Sequence, residues 1–368
     1  MNAVYLSLIC SLVIAIAAIP TIIRISYLKH LYDVPDDRKV HGKAIPTLGG
    51  LAIFAGFAIS MSIFAPNNIE FLQYQYLYAA LLIIFFTGIQ DDILSISPLK
   101  KLLGQIIAAA LVVLMGGVKL TSMHGLFGIE EIENSWSILL TIFTLLVIMN
   151  GSNLIDGINW LSGGVAIVVS LAFGAFFIVN GRYELAIISS SLIGGILGFM
   201  WFNKTPAKIF MGDTGSLIIG LVNGVLCIYF ININGTSAPL TFEASPIFAF
   251  GILIVPLFDT LRVFLWRMLR GKSPFSPDRN HIHHRLLELG NSHMKSSVII
   301  VLANILVIVF LYFTHDKLNS FVLLLILLGV AAGLSYLPSV LIKNRKKAGE
   351  GVKIKNNHTK RPPLSKVS

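Results

Sequence analysis

The stretch LYAALLIIFFTGIQDDILS, residues 77–95, holds no charge from Leu77 to Gly88 and then sets two aspartates, Asp91 and Asp92, side by side. A run of this kind suits lipid, where a spanning helix needs about 20 mostly apolar residues. The pattern recurs along the whole chain. Of 368 residues, 55% are hydrophobic and only 12% charged, against about a quarter charged in an ordinary soluble domain. The reading is an all-α polytopic membrane protein with about eleven spans. They are expected near 3–23, 47–65, 77–94, 101–118, 136–151, 163–180, 185–202, 215–233, 246–266, 297–314 and 319–341. The fifth is short and is expected to be tilted or irregular at its end.

Lys and Arg set the orientation. One set of loops collects Arg24, Lys29, Arg38, Lys39 and Lys43, then Lys100 and Lys101, then Lys204 and Lys208, a cluster between 267 and 296, and the tail from Lys343. The other set holds only Lys119, Arg182 and Lys317. This places the N-terminus outside, on the periplasmic face, and the C-terminus in the cytoplasm. The net charge of +10 therefore reads as membrane orientation, with no basic patch for nucleic acid. Residues 1–341 read as one multi-pass domain with cytoplasmic loops. Residues 342–368 read as a basic, disordered cytoplasmic tail near anionic lipid. The first apolar run lacks a basic leader, so it reads as a retained helix. Cys10 and Cys227 lie inside apolar runs and read as packing residues. The chain has no internal repeat.

On this map the acids share one face. Asp91 and Asp92 end the third span, and Asp156 lies in NGSNLIDGINWLSGG (150–164). Asp213 lies in KTPAKIFMGDTGS (204–216), and Asp259 in the ninth span. An aspartate in a spanning helix costs about 2.5–3.5 kcal/mol on insertion scales. Several on one side point to a shared site more than to scattered helix ends. Asn153, Asp156 and Asn159 are spaced three apart and would share a face if the stretch were helical. Their oxygens suit a hard cation such as Mg²⁺. Around Asp213, Gly212 and Gly215 would let backbone amides approach a phosphate. With no Cys among these groups, zinc does not fit.

The large inner loop carries SPDRNHIHHRLLELG (276–290), with His281, His283 and His284 between Arg279 and Arg285. Two guanidinium groups would repel a dication, and their donors fit phosphate oxygens. An amphipathic helix lying on lipid is the plainer alternative. Carboxylates and phosphate-binding cations converging at one membrane face suit metal-assisted phosphoryl transfer. The chain has no G-x-S-x-G nucleophile motif, so the nucleophile would come from a substrate.

The segments QDD, NLIDGIN, FNKTPAKIFMGDTGS and SPDRNHIHHRL, in this order, resemble the polyprenyl-phosphate N-acetylhexosamine-1-phosphate transferases. The resemblance covers nearly every inner loop. It implies a polytopic enzyme of the bacterial inner membrane, with its active site on the cytoplasmic face. Such an enzyme moves a sugar-1-phosphate from a UDP-sugar to undecaprenyl phosphate with Mg²⁺ or Mn²⁺ and releases UMP. It also implies residue roles. Asp213 resembles the principal metal ligand, with Asp92 and Asn153 beside it. Asp91 resembles the base for the lipid phosphate, and Asp92 would help hold that phosphate or the metal. Asn153 and Asp156 match the pair lining the metal and nucleotide site. Phe210 matches an aromatic that stacks on uracil, with Asn203 and Lys43 nearby. Arg279, His281, His283 and His284 match the loop that holds the donor's phosphates and sugar.

Two departures matter. Many members read D-G-x-D-G where this chain has Asn159 in place of the second acid, which touches the uridine contact. Ile282 interrupts the histidine run and Arg285 follows it, unlike the phospho-N-acetylmuramoyl-pentapeptide transferases of peptidoglycan synthesis. This favours the branch initiating O antigen, capsule or teichoic-acid linkage units, with UDP-GlcNAc or a related UDP-HexNAc as donor. The peptidoglycan transferase is the alternative reading. A lipid-linked transporter or flippase is a more distant one, since it would show inverted repeats and broken helices at the midplane. Relatives of this kind dimerise through membrane helices, so a homodimer is a further expectation.

Overall fold

In hydrocarbon the backbone has no water to bond, so each apolar run must satisfy its own N–H and C=O groups as a helix. The computed structural model describes residues 1–32, 45–65, 74–233, 239–269, 271 and 281–347. Among them the ordered elements are helical: α1 (Asn2–Leu28), α2 (Gly49–Phe64), α3 (Tyr74–Leu94), α4 (Pro98–Ala110), α5 (Asn134–Leu154), α6 (Leu161–Val179) and α7 (Tyr183–Asn203). They continue with α8 (Gly212–Ile233), α9 (Ser245–Ile252), α10 (Ile254–Leu269), α11 (Ile282–Glu288), α12 (His293–Thr314) and α13 (Ser320–Lys347). A wider π turn over Leu111–Met115 extends α4. Nine described helices are long and apolar enough to cross a membrane, and α9 with α10 would make a tenth. The 16-residue α2 is shorter. The chain is a multi-pass membrane protein.

Each expected segment falls on one of these helices, with four differences. The fifth is not short: α5 is a continuous helix of 21 residues. The ninth is not one rod but two helices meeting at Leu253 with a bend of 83°. At this break Asn304 of α12 donates to the Ile252 carbonyl at 3.1 Å, satisfying an acceptor freed by the interruption. The large loop after α10 contains the short helix α11. Helix α13 runs to Lys347, past the expected boundary at 341, and residues 348–368 lie outside the described set.

Two helices form the centre. Buried residues make up 83% of the apolar window in α7 and 89% in α8, against 22% in α1 and α13. Lipid is as apolar as leucine, so helix association depends on close packing and polar contacts. Ser7 of α1 meets Ser190 of α7 at 2.6 Å. Ser60 of α2 donates to the Ser7 carbonyl at 2.6 Å and lies 3.0 Å from Ser191. Such interhelical bonds contribute about 0.6 kcal/mol each, and they fix the register of three helices together.

Helix α8 also gives the molecule its two faces. Asp213 at its start and Asn232 near its end are separated by roughly 28 Å at 1.5 Å per residue, about the hydrocarbon thickness. Around Asn232, the segment between α4 and α5 closes with a bridge between Ser122 and Glu131. A polar cavity of about 650 Å³ opens there, lined by Lys119, His124 and Glu130 among others. Around Asp213, the ends of α3, α5 and α7 meet the starts of α4, α6 and α8.

Candidate active site

The site is built from helix ends. Gly88, one turn before Asp92, presses α3 against α8: a Cβ there would lie 2.4 Å from the Thr214 Cα. This approach brings Asp92 onto the first turn of α8. Its Oδ1 accepts from the Asp213 amide at 2.7 Å. Its Oδ2 accepts from the Thr214 amide at 3.1 Å and the Thr214 hydroxyl at 2.6 Å. A helix leaves its first amides unpaired, and here a carboxylate from a neighbouring helix satisfies two of them. Gly212, at φ +74°, has the Thr47 carbonyl and the Asp92 carboxylate where a Cβ would stand. The expected role of Gly212 and these amides in cradling a phosphate is therefore corrected: the Asp213 and Thr214 amides already point at Asp92.

Asp91, one residue earlier, faces elsewhere. Its Oδ2 is 3.0 Å from the Lys101 ammonium of α4, and the same ammonium bonds Oδ2 of Asp213. Lys101 therefore bridges two carboxylates from two helices. Asn153, in the last turn of α5, donates to Oδ1 of Asp213 at 2.6 Å and to the Ser216 hydroxyl at 2.9 Å. One turn along from Lys101, Gln105 pairs with Asn150, whose amide donates to it at 2.8 Å. This clasp fixes α4 to α5 directly below Lys101 and Asn153. Lys101, Gln105, Asn150 and Ser216 were not among the expected site residues. The signal was present: SPLKKLLGQ places Lys101 and Gln105 four apart, on one face of a span that starts on the same side as the acids.

Helix α5 ends at Leu154, so the condition for Asn153, Asp156 and Asn159 to share a helical face is not met. The chain turns at 155–160 and spreads them apart. Asp156 stays near the carboxylates, and burial, then the charges of Asp213 and Asp92, push its carboxyl up to about 7. Asn159 instead donates to the Thr205 hydroxyl at 3.1 Å, and its carbonyl accepts from Ser297 of α12 at 2.7 Å. Asn203 is also turned inward. It accepts from the Trp160 amide at 2.8 Å and donates to the Ile209 carbonyl at 2.9 Å. Both side chains tie the 155–160 turn to the 204–211 loop. Phe210, half-buried, is held through its backbone, with its amide on the Pro46 carbonyl at 2.7 Å and its carbonyl taking the Gly49 amide at 2.9 Å.

The histidines arrive on α11. His281 and His283 are buried, with ring planes 12° apart and centroids 5.7 Å apart. His284 packs on His283 at 4.3 Å. The His283 Nε2 lies where a Cβ on Gly157 would stand, so α11 docks directly on the turn that carries Asp156. Burial, then His284, holds the His283 imidazole down at about 3. Arg285 pairs with Glu288 at 3.1 Å. Lys43 and Arg279 lie outside the described residues.

Four acidic side chains, one bridging ammonium and a histidine cluster thus gather at one end of the bundle, where they can meet anionic groups and a hard cation. The donors around Asp213 are oxygens, the set that Mg²⁺ prefers. Comparison with known proteins identifies the family. The model of glycosyl transferase family 4 matches residues 74–231, the segment from α3 to α8 that supplies Asp91, Asp92, Lys101, Asn153, Asp156 and Asp213. The chain is 32% identical over 303 residues to a probable undecaprenyl-phosphate N-acetylglucosaminyl 1-phosphate transferase of Bacillus subtilis, covering 82% of each chain. It is 34% identical over 281 residues to an undecaprenyl-phosphate alpha-N-acetylglucosaminyl 1-phosphate transferase of Escherichia coli, covering 74% of this chain and 73% of that one. A decaprenyl-phosphate N-acetylglucosaminephosphotransferase of Mycolicibacterium smegmatis is 32% identical over 295 residues, covering 73% and 71%. With that identity along most of both chains, and the matched segment lying across the helix ends that form the carboxylate cluster, the chain belongs to glycosyl transferase family 4.

Proposed function

We propose that the protein transfers N-acetylglucosamine-1-phosphate from its UDP-sugar to undecaprenyl phosphate, releasing UMP, as the first membrane step of a cell-surface polysaccharide. The relatives' names supply acceptor and sugar. The observation that carries the chemistry is the Lys101 bridge, which holds Asp91 and Asp213 together at the end of a membrane-embedded bundle. An acceptor whose tail stays in lipid presents its phosphate at this depth. An oxygen of that phosphate attacks the β-phosphorus of the donor, a new P–O bond forms, and the bond to the UMP oxygen breaks.

Asp91, with one oxygen facing Lys101 and no backbone amide on either, is the group placed to take the acceptor's proton. Asp92 has both oxygens committed to α8 and acts by fixing Asp213 in place. Asp213 and Asn153 are the residues that would hold Mg²⁺ or Mn²⁺; Asp92, expected beside them, has both oxygens on the first turn of α8 instead. Among the described residues no three His, Cys, Asp or Glu form a closed cage, and Mg²⁺ characteristically takes one or two carboxylates together with substrate phosphates. Bound there, the cation supplies charge neutralisation on the donor's diphosphate. His283 docks on Gly157 beside Asp156, with His281 and His284 packed around it, and imidazole nitrogens there suit the polar groups of the donor's phosphates and sugar. Phe210 is the aromatic for the uracil. The positive-inside count supports the reading that this face lies in the cytoplasm, at a bacterial inner membrane, where UDP-sugars reside.

The test is UMP release by the purified protein in detergent, with undecaprenyl phosphate and a panel of UDP-sugars, with and without EDTA. UMP that needs the lipid, is lost with chelator and comes from UDP-GlcNAc is the expected result. UMP from a different UDP-HexNAc would replace the sugar. Release without lipid would overturn the reaction.

A further inference from the structure

Asp259 lies on α10, outside the carboxylate cluster, and the chemistry above does not use it. It is 3% exposed and both of its oxygens are engaged. Oδ2 meets Nδ1 of His281 at 2.8 Å. Oδ1 accepts from the Ile282 amide at 3.1 Å and from Arg262 at 2.9 Å. A carboxylate only accepts, so the proton of a neutral His281 sits on Nδ1, and Nε2 is the nitrogen left for a ligand. The amide of Ile282 is the first of α11, so the same carboxylate fixes where that helix begins. Its own placement comes from the 83° bend at Leu253, which turns α10 toward the histidine loop and is held by Asn304 on the Ile252 carbonyl.

We propose that Asp259 is a positioning residue for His281: it sets the imidazole tautomer and orientation, so that the Nε2 lone pair accepts from a hydroxyl of the donor's sugar. This rests on the reading of His281 as a donor-binding group. The bland alternative is that Asp259 is only the cap of α11. The two differ in what an amide at 259 would do. In Asp259→Asn the carboxamide oxygen still accepts from the Ile282 amide, so the cap survives. Its NH₂ group faces Nδ1, which must then become an acceptor and move its proton to Nε2.

The experiment measures kcat and donor KM for the purified full-length enzyme by UMP release, for Asp259→Asn, His281→Gln and the double variant, with thermal melting of each in detergent. Expected for Asp259→Asn is a fall in kcat of about 10- to 100-fold, by analogy with removal of the partner behind a metal-bound histidine, with melting unchanged. The double variant should fall no further than His281→Gln. Activity of Asp259→Asn within twofold of wild type would overturn the proposal. Multiplying losses in the double variant, or a kcat loss that tracks a lowered melting temperature, would do the same and leave Asp259 as a cap. An inactive wild type, or a fully active His281→Gln, would refute the functional reading itself.

Discussion

At the scale of single residues, two adjacent aspartates have separate partners because they leave α3 in different directions. Asp91 faces Lys101, and Asp92 faces the amides of α8. Asp91→Asn should lower transfer by about 10²-fold or more, the contribution of a general base, with unchanged melting. Asp92→Asn should lower stability by about 1–2 kcal/mol, as for a lost helix cap, and reduce activity through the displaced Asp213. Melting curves beside UMP assays separate the two, and equal melting losses would refute the division. His283 allows a second prediction. Its folded value near 3 lies below the ordinary 6.5, so an unfolded chain takes a proton at pH 5 that the folded chain refuses. Its contribution is intact above about 6.5 and is lost as the pH falls toward 3, by about 2 kcal/mol at pH 5. Asp156 works the other way: its carboxyl near 7 favours the fold as the pH drops below 7. The comparison must therefore be made against His283→Gln, whose melting should fall less than that of wild type between pH 7 and pH 5. Parallel curves would show that His283 is not held neutral.

At the scale of elements, the spans were legible and their ends were not. Lipid demands a long apolar run for each helix, so α1 to α8 and α12 to α13 could be placed from composition alone. The break at Leu253 could not, because ILIVPLF is apolar on both sides and the bend is held from α12 by Asn304. The turn at 155–160 was hidden in the same way: NLIDGIN has helical spacing, and only its docking against Thr205, Ser297 and His283 decides otherwise. The acids themselves were conspicuous, since a charge in an apolar context is costly. Lys101 was not, since a lysine at a span end is also what orientation requires. The Gly88 contact follows the same logic and yields a prediction. In Gly88→Ala the new methyl meets backbone atoms of α8, which cannot swing away, so about 1–3 kcal/mol of stability and most of the activity should be lost. Gly329→Ala on α13 has nothing within 4 Å of its new Cβ and should be neutral or slightly stabilising from helix propensity. Equal melting of the two variants would remove the α3–α8 contact as the device that aims Asp92.

At the scale of the whole molecule, chemistry and topology constrain each other. In the proposed reaction the donor is water-soluble and the acceptor is not, so the site would have to lie where a helix bundle meets one aqueous phase. The carboxylates do lie at one end of α8, and the polar cavity around Lys119 and Glu130 lies at the other. The excess of Lys and Arg beside the carboxylate end is the ground for the proposal that this end faces the cytoplasm. Two surface positions test this. Lys204 is exposed next to the site loop, and Glu131 is exposed in the segment at the opposite end. In a background with Cys10 and Cys227 replaced by alanine, Glu131→Cys should react with a membrane-impermeant maleimide in intact spheroplasts. Lys204→Cys should react only after lysis. The reverse pattern would place the site outside, where no UDP-sugar is supplied, and would remove the proposed reaction. Labelling of both from outside would mean that α5 to α7 do not cross the bilayer an odd number of times. The alternation of helix starts and ends that assembles Asp91, Asn153 and Asp213 on one face would then have to be abandoned as well.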